Sequence, residues 1–205
     1  EHAQCQIDLG GSYFDETQLH DAMDDAGGFL LRGTRYGKPV EVRTQFVIDA
    51  SGPCGFLHRA LGLGEAAFDK LPPTQALYTH FTGVARWDSI EPAAEKPPYP
   101  VDDAALHHVF DGGWIWILRF NNGITSAGVA ATRELARRFR FSEGESAWRR
   151  LLESLPSVAR QFSDAQPLRP FVHTPTLSFR TQKVVGRNWA LLPSAAGFVD
   201  PLLSN

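Results

Sequence analysis

Val40-Glu41-Val42-Arg43-Thr44-Gln45-Phe46-Val47-Ile48-Asp49-Ala50-Ser51-Gly52 carries the strongest fold signal in the chain. Val40, Val42, Thr44, Phe46 and Ile48 recur at every second position, the period of a half-buried strand. The strand runs into a Gly-bearing turn at its C-terminal end, where α/β folds place their ligands. Far downstream, Trp189-Ala190-Leu191-Leu192 reads as a buried strand that returns to the same layer. It leads directly into Pro193-Ser194-Ala195-Ala196-Gly197-Phe198-Val199-Asp200-Pro201. Upstream, Ser12-Tyr13-Phe14-Asp15 has the form of a capping box, followed by Leu19, Ala22, Met23 and Ala26 at helical spacing and by Gly27-Gly28. This predicts one amphipathic helix with a glycine stop.

Between the two anchor strands the pattern changes. Ala76–Ala85, Ala105–Phe110, Trp114–Phe120 and Ile124–Ala130 read as strands. Asn121-Asn122-Gly123 joins the last two as a hairpin, because Asn and Gly tolerate the positive φ of a tight turn. The stretch from Glu91-Pro92 to Pro97-Pro98-Tyr99-Pro100 is too proline-rich for a central strand and is expected to be a surface loop or lid. Ser142 to Glu145 predicts a capping box that opens a helix carrying Trp148, Leu151, Leu152 and Leu155, ended by Pro156. Ser157 would cap a short successor bearing Val158 and Phe162, and Phe171 to Phe179 reads as a further strand. The expectation is two domains, the first discontinuous: residues 1–70 and 186–205 in one, 71–185 in an inserted antiparallel sheet with helices.

Composition narrows the function classes. Lys+Arg number 20 and Asp+Glu 23, a formal net charge of −3, which gives no counterion-release term for nucleic acid or anionic lipid. Hydrophobic residues make up 43% but occur only in short runs, so no membrane-spanning segment is expected and the localisation is read as cytoplasmic. Cys5 and Cys54 cannot form a disulfide framework and lack the spacing of a zinc motif, which sets redox-thiol and metal readings aside. The chain starts at Glu1 and stops at Asn205, directly after an apolar motif, and is expected to be the middle and late portion of a protein about twice its length.

A phosphate or polyol chain lying against backbone needs residues without bulk. Ala50, Ser51, Gly52, Ala195, Ala196 and Gly197 supply that, and Ser51 and Ser204 add hydroxyls. The bland reading of the same residues is a tight turn with close strand–helix packing. Trp114 and Trp116 stand two apart on a strand, so their indoles share a face and are expected to wall a cavity, unless they are simply core aromatics. His107 and His108 point to opposite faces and cannot chelate one metal together. His80 and His173 are isolated candidates for the cavity face. Arg137, Arg138, Arg140, Arg149 and Arg150 are read as solvated, and Asp24-Asp25 as divergent rather than a catalytic dyad. No catalytic residue is assigned.

Three motifs in order, Val47-Ile48-Asp49-Ala50-Ser51-Gly52, Gly113-Trp114-Ile115-Trp116-Ile117 and Ala195-Ala196-Gly197-Phe198-Val199-Asp200-Pro201-Leu202-Leu203-Ser204, resemble the flavin-dependent, tryptophan-halogenase-like family of FAD monooxygenases. Asn122-Gly123-Ile124-Thr125-Ser126-Ala127-Gly128-Val129 is similar to that family's hairpin after the Trp pair. The resemblance implies part of a FAD-binding Rossmann-like domain with an inserted antiparallel substrate domain, a p-hydroxybenzoate hydroxylase-like α+β or α/β fold. It also implies FAD as cofactor, held by Ala50, Ser51, Gly52, Ser194, Ala195, Gly197, Asp200, Pro201 and Ser204. A substrate cavity would be bounded by Trp114 and Trp116, and a flavin reductase would be a partner. The implied reaction proceeds through a flavin hydroperoxide on an aromatic or carrier-bound substrate. The chain departs from the family pattern at Pro193-Ser194, which stands where Gly-Asp is usual, and at Leu118, where a Pro would follow. Pro193-Ser194 favours one alternative, a non-catalytic or weakly flavin-binding relic that holds a small hydrophobic ligand or a partner. A third reading, a geranylgeranyl-reductase-like flavoprotein, shares the fold but would want a long apolar tunnel, which the Trp pair argues against.

Overall fold

A computed structural model describes residues 10–67, 73–91 and 97–203. The chain divides into two compact units, Glu1–Ala67 with Phe179–Phe198, and Phe68–Ser178 with Val199–Asn205.

The first unit opens with an antiparallel three-stranded sheet, β1 (Thr17–Asp25), β2 (Gly28–Arg35) and β3 (Lys38–Thr44). The helix expected over Leu19–Ala26 is therefore a strand. Asp25 pairs with Gly28, and the intervening Ala26 and Gly27 both have positive φ, as do Tyr36 and Gly37 between β2 and β3. Positive φ at both central residues is the turn whose twist matches a hairpin, so Gly27 reverses the chain rather than stopping a helix. The single strand expected from Val40 to Ile48 breaks at Gln45-Phe46, and β4 (Val47–Asp49) leaves the first sheet. A short helix α1 (Phe56–Ala60) follows.

The second unit is built on β5 (Thr74–Thr82), β6 (Leu106–Phe110), β7 (Gly113–Arg119) and β8 (Thr125–Thr132), with a single-turn helix α2 (Trp87–Ile90) between β5 and β6. Then come α3 (Arg133–Phe139), α4 (Glu145–Glu153), α5 (Pro156–Gln161), β9 (Gln166–Pro167) and β10 (Val172–Thr174). The strands form one antiparallel sheet in the order β10-β5-β8-β7-β6, with β9 also on β5. Residues 92–96 of the proline-rich stretch lie outside the described residues.

Two helix boundaries differ from expectation. Gly144, not Ser142, precedes α4 with no side-chain cap, while Ser142 sits in a 3₁₀ turn. Pro156 opens α5 instead of ending α4, since its missing N–H costs nothing in a first helical turn. The α3 helix was not foreseen; its start is fixed by the Thr132 side chain, which accepts from the Leu135 N–H at 3.3 Å.

One face of this sheet carries Leu77, Phe81, Ile115, Ile117, Ala127 and Val129, all buried, and packs on Phe139, Trp148, Leu151, Val158 and Phe162 from the helices. The opposite face presents Tyr78, Gly128, Trp116 and His107 in one cross-strand row and Ala76, Ala130, Trp114 and Val109 in the next. Alternation along each strand thus separates a packing face from a working face.

The chain returns to the first unit through β11 (Phe179–Arg180), β12 (Trp189–Leu191), a one-turn helix α6 (Pro193–Ala196) and β13 (Gly197–Phe198). The strand read over Phe171–Phe179 is two separate pieces, β10 and β11. Trp189 pairs with Val47 and Leu191 with Asp49 in parallel register, so β12 does return beside β4. Val47, Leu57, Phe29, Leu31, Trp189, Leu191 and Ala195 form this unit's core. No helix among the described residues is long and apolar enough to cross a membrane.

Candidate functional site

In the first unit, the parallel pair β4–β12 brings two of the three motifs to one edge. Both strands end at the same level, and the Leu192 N–H donates to the Asp49 carbonyl at 2.9 Å where they diverge. Beyond that point Ala50-Ser51-Gly52 and Pro193-Ser194-Ala195 leave side by side, at the C-terminal ends of adjacent parallel strands.

Asp49 organises the turn. It is 4% exposed, and its carboxylate accepts from the Ser51 N–H at 2.8 Å, the Ser51 hydroxyl at 2.5 Å and the Leu57 N–H at 2.7 Å. Ser51 Oγ in turn accepts from the Phe56 N–H at 2.7 Å. The Ser51 hydroxyl, expected as a ligand donor, thus gives its proton to Asp49 and fastens the start of α1. Gly55 fits beneath it, since a Cβ there would strike Ser51 Oγ.

What the turn leaves open is backbone and small side chains. Ala50 and Ser194 are exposed. Gly52 has φ +82°, and a Cβ built on it would meet nothing within 4 Å. Ala195 is 1% exposed and belongs to the core, and Gly197 is small because a side chain would press on the Phe179 carbonyl across β11–β13. Of the small residues singled out in sequence, Ala50, Ser51 and Ser194 are exposed, with the Ser51 hydroxyl spent on Asp49, whereas Gly52 and Gly197 are half-buried and Ala195 is buried.

In the second unit the Trp-x-Trp motif and the Val-Asp-Pro end of the third motif meet at one hydrogen bond. The Trp114 indole N–H donates to Asp200 Oδ1 at 2.9 Å. Asp200 also accepts from the Leu202 N–H at 3.3 Å, and its own N–H donates to Ser178 Oγ at 3.0 Å. Pro201 begins the 3₁₀ turn that follows, and Ser204 lies outside the described residues. Trp114 is 5% exposed; Trp116 stacks obliquely on it at 5.7 Å, and Tyr78 lies 5.9 Å from Trp116.

Beside this bond is a cleft of about 560 Å³ lined by Trp114, Val109, Gly113, Ala130, Asp200 and Leu202 among others. Trp114 lines it and Trp116 does not; Trp116 lies across Gly128, against Tyr78. The cleft is apolar apart from Asp200 and the hydroxyls of Thr74, Thr132 and Ser178. Sequence reasoning missed Ser178 and Val109 because neither belongs to a motif; only the sheet register brings them there.

The other candidates separate by face. His80 stacks with Phe120 at 6.3 Å on the working face. His173 is on the packing face, 3.0 Å from Gln75 Oε1 and edge-on to Phe141. His107 lies against Trp114 at 4.8 Å, while His108, on the opposite face, meets Gln161 Oε1 at 3.0 Å. Burial pushes the His108 pKa down, partly offset by Gln161, so it packs neutral. Arg149 and Arg150 pair with Glu145 and Glu143 at 2.5 and 2.7 Å.

Comparison with known proteins gives a consistent result. No family model matches the chain. It is 36% identical over 189 residues to the tetracycline 7-halogenase of Kitasatospora aureofaciens, covering 88% of this chain and 33% of that protein. It is 29% identical over 194 residues to the monodechloroaminopyrrolnitrin halogenase PrnC of Pseudomonas fluorescens, covering 92% of this chain and 33% of that one. The chain thus spans about a third of the length of these relatives. Among solved structures, halogenase PltM in complex with phloroglucinol and FAD superposes with a TM-score of 0.83 at 24% identity, over 98% of this chain and 41% of that one. CmlS, a flavin-dependent halogenase, superposes with a TM-score of 0.71 at 22% identity, over 98% of this chain and 34% of that one. The fold is that of these FAD-binding proteins.

Proposed function

From a chain that is halogenase-like in sequence and in fold, we propose that the protein is a FAD-dependent oxidoreductase that halogenates a small aromatic or carrier-bound substrate. The observation that carries the proposal is the Trp114–Asp200 hydrogen bond, which joins the Trp-x-Trp motif to the Val-Asp-Pro motif at the wall of an apolar cleft. Both motifs are what the resemblance rests on, and here they act as one structural unit.

In this reading the first unit is part of a Rossmann-like FAD-binding domain in a p-hydroxybenzoate hydroxylase-like arrangement. Ala50, Gly52 and Ser194 would lie along the cofactor, where exposed backbone and absent side chains suit a phosphate or ribityl chain. Ser194 would offer a neutral hydroxyl where a carboxylate is usual, and neutral hydrogen bonds are about half as strong as charge-assisted ones. A bound, reduced FAD would supply the dioxygen-activating chemistry, with a flavin reductase as the electron-supplying partner. The chain's own contribution is positional. Asp49 and Ser51 hold the turn, Asp200 holds Trp114, and Trp114 forms part of the wall of the apolar cleft.

The test uses the full-length protein. Visible absorbance in the flavin bands on reconstitution, and mass-shifted product when an aromatic substrate panel is incubated with halide, O₂, FAD and a reductase, is the expected result. A protein that stays colourless and binds no added FAD would overturn the proposal.

A further inference from the structure

The sequence reading set zinc aside because neither cysteine stands in a zinc-like spacing, but the fold assembles a ligand set that spacing alone does not show. Cys54 precedes α1, His58 stands four residues later on it, and Glu65 is carried back to them by the turn through Leu61 and Gly62. Cys54 Sγ, a His58 ring nitrogen and a Glu65 carboxylate oxygen all lie within 4.8 Å of one another. We propose that Cys54, His58 and Glu65 bind one borderline-soft divalent cation of the zinc type, with a solvent molecule as fourth ligand.

Three observations support this independently of one another. First, His58 Nε2 is buried and has no hydrogen-bond partner. A buried imidazole nitrogen with no protein partner is free to ligate, and a cation is what a ring beside a thiol and a carboxylate would meet. Second, the thiol and the carboxylate already face each other, with Cys54 Sγ donating to Glu65 Oε1 at 3.6 Å. A cation would take the place of that proton. Third, each ligand's backbone is fixed by other contacts. The Cys54 carbonyl accepts from Arg59 Nη1 at 2.6 Å. Glu65 bridges to Thr181, between hydrogen bonds from Ala66 N–H to the Arg180 carbonyl at 2.7 Å and from Gln182 N–H to the Gly64 carbonyl at 2.8 Å.

Tetrahedral coordination with bonds of about 2.0–2.3 Å sets ligand atoms about 3.5 Å apart, so the cluster needs to contract by about 1 Å. The exposed, three-torsion Glu65 side chain can supply that. The donor set selects the metal, because sulfur and imidazole favour zinc-like ions over magnesium or calcium. Cys54 also sits at φ +48°, where glycine would be less strained, so a side chain is kept where the backbone alone would favour none. Binding requires the thiolate: the Cys54 thiol proton is released to solvent as the metal–sulfur bond forms. Because metal binding displaces that proton, the affinity rises with pH. Bound metal would clip α1 to the Gly64–Ala66 and Arg180–Gln182 segments, behind the Asp49–Ser51 turn.

The test is zinc stoichiometry and affinity on the full-length protein, by elemental analysis after gel filtration and by Zn²⁺ titration of the chelator-stripped protein against a chromophoric chelator. One zinc per chain is expected. Cys54→Ser and His58→Gln should each weaken it at least tenfold, Glu65→Gln less, and Cys5→Ser not at all. X-ray absorption on the wild type should show one sulfur at about 2.3 Å with lighter ligands at about 2.0–2.1 Å, which decides the matter even where a variant fails to fold. Absence of stoichiometric zinc, wild-type affinity in Cys54→Ser, or a shell without sulfur would overturn the proposal. FAD content, read separately from visible absorbance, keeps this outcome distinct from that of the flavin proposal.

Discussion

Gly128 lies at the centre of the working face, and its missing side chain is what lets the Trp pair form. A Cβ there would overlap the Tyr78 Cβ and the Trp116 ring, which lies across it. Gly128→Ala must therefore displace Trp116 or spread β5 from β8, and overpacking of this kind costs about 1–3 kcal/mol. Denaturant unfolding should show that loss together with a shifted tryptophan emission; an unchanged midpoint would mean that Trp116 does not rest there. Asp200 gives a complementary case. Replacing it by Ala leaves the indole N–H of Trp114, a residue only 5% exposed, without its acceptor, at a cost of about 1–3 kcal/mol for a buried unsatisfied donor. Near-ultraviolet circular dichroism of Asp200→Ala should report a loosened Trp114, whereas Asp200→Asn, which retains an acceptor oxygen, should keep most of the wild-type signal.

Elements are held by side chains that belong to none of the motifs, and the Asp102–Arg119 pair is the clearest example. Asp102, 3% exposed in the 3₁₀ turn Val101–Asp103, accepts from Arg119 Nε at 3.0 Å and from the Asp88 N–H at 3.0 Å, while Arg119 also donates to the Val84 and Ala85 carbonyls. The pair fastens the stretch after β5 and the turn before β6 to the end of β7. Burial pushes the Asp102 carboxyl up, but the Trp87 and Asp88 N–H groups and the Arg119 guanidinium outweigh it and hold it below the ordinary value. A carboxyl whose pKa is lowered by folding contributes stability that is present above its unfolded value and is lost as pH falls through its folded value. Asp102→Asn is expected to cost about 3 kcal/mol at neutral pH, as for other broken buried pairs. The gap to wild type should stay constant down to about pH 4 and narrow below it, where the wild type protonates as well. A gap independent of pH would show that the charge is not what holds the turn. The sequence made some of this visible and not the rest, for physical reasons. The strands β5 to β8 were legible because they alternate between a dry and an open face and because Asn122-Gly123 marks its turn. The β1–β2–β3 meander was not, because Ala26 and Tyr36 occupy left-handed positions that their residue types do not advertise, and because Leu19, Ala22 and Met23 fit a helical period by chance. In the candidate site, the small residues of the turn were legible as a group. Which of them face out and which support the edge depended on Asp49, whose three hydrogen bonds arise only when β4 and α1 are brought together.

At the scale of the whole molecule, the described residues form two hydrophobic cores with no shared members, one around Leu57, Phe29 and Trp189 and one around Leu77, Ile115, Val129 and Leu151. The first is closed only when residues from both ends of the sequence meet, since β12 must return to pair with β4. The second is nearly continuous in sequence from β5 to β10. Forming the first core therefore carries the larger loop-closure cost, because its halves are separated by the entire inserted sheet. Leu57 and Ile115 are both fully buried, so truncating either to Ala removes the transfer energy of the lost methyl groups and leaves a cavity, about 2–5 kcal/mol in each case. Their effects should differ in location. Hydrogen exchange followed by mass spectrometry on Leu57→Ala should speed exchange in peptides covering β4, α1 and β12 while leaving β5, β7 and β8 as protected as before. Ile115→Ala should do the reverse, because mutations in cores that share no partners act independently. Were Leu57→Ala to deprotect both sets of strands equally, the two cores would unfold as one cooperative unit, and the Asp49–Ser51 turn could not loosen without disturbing the Trp114 cleft.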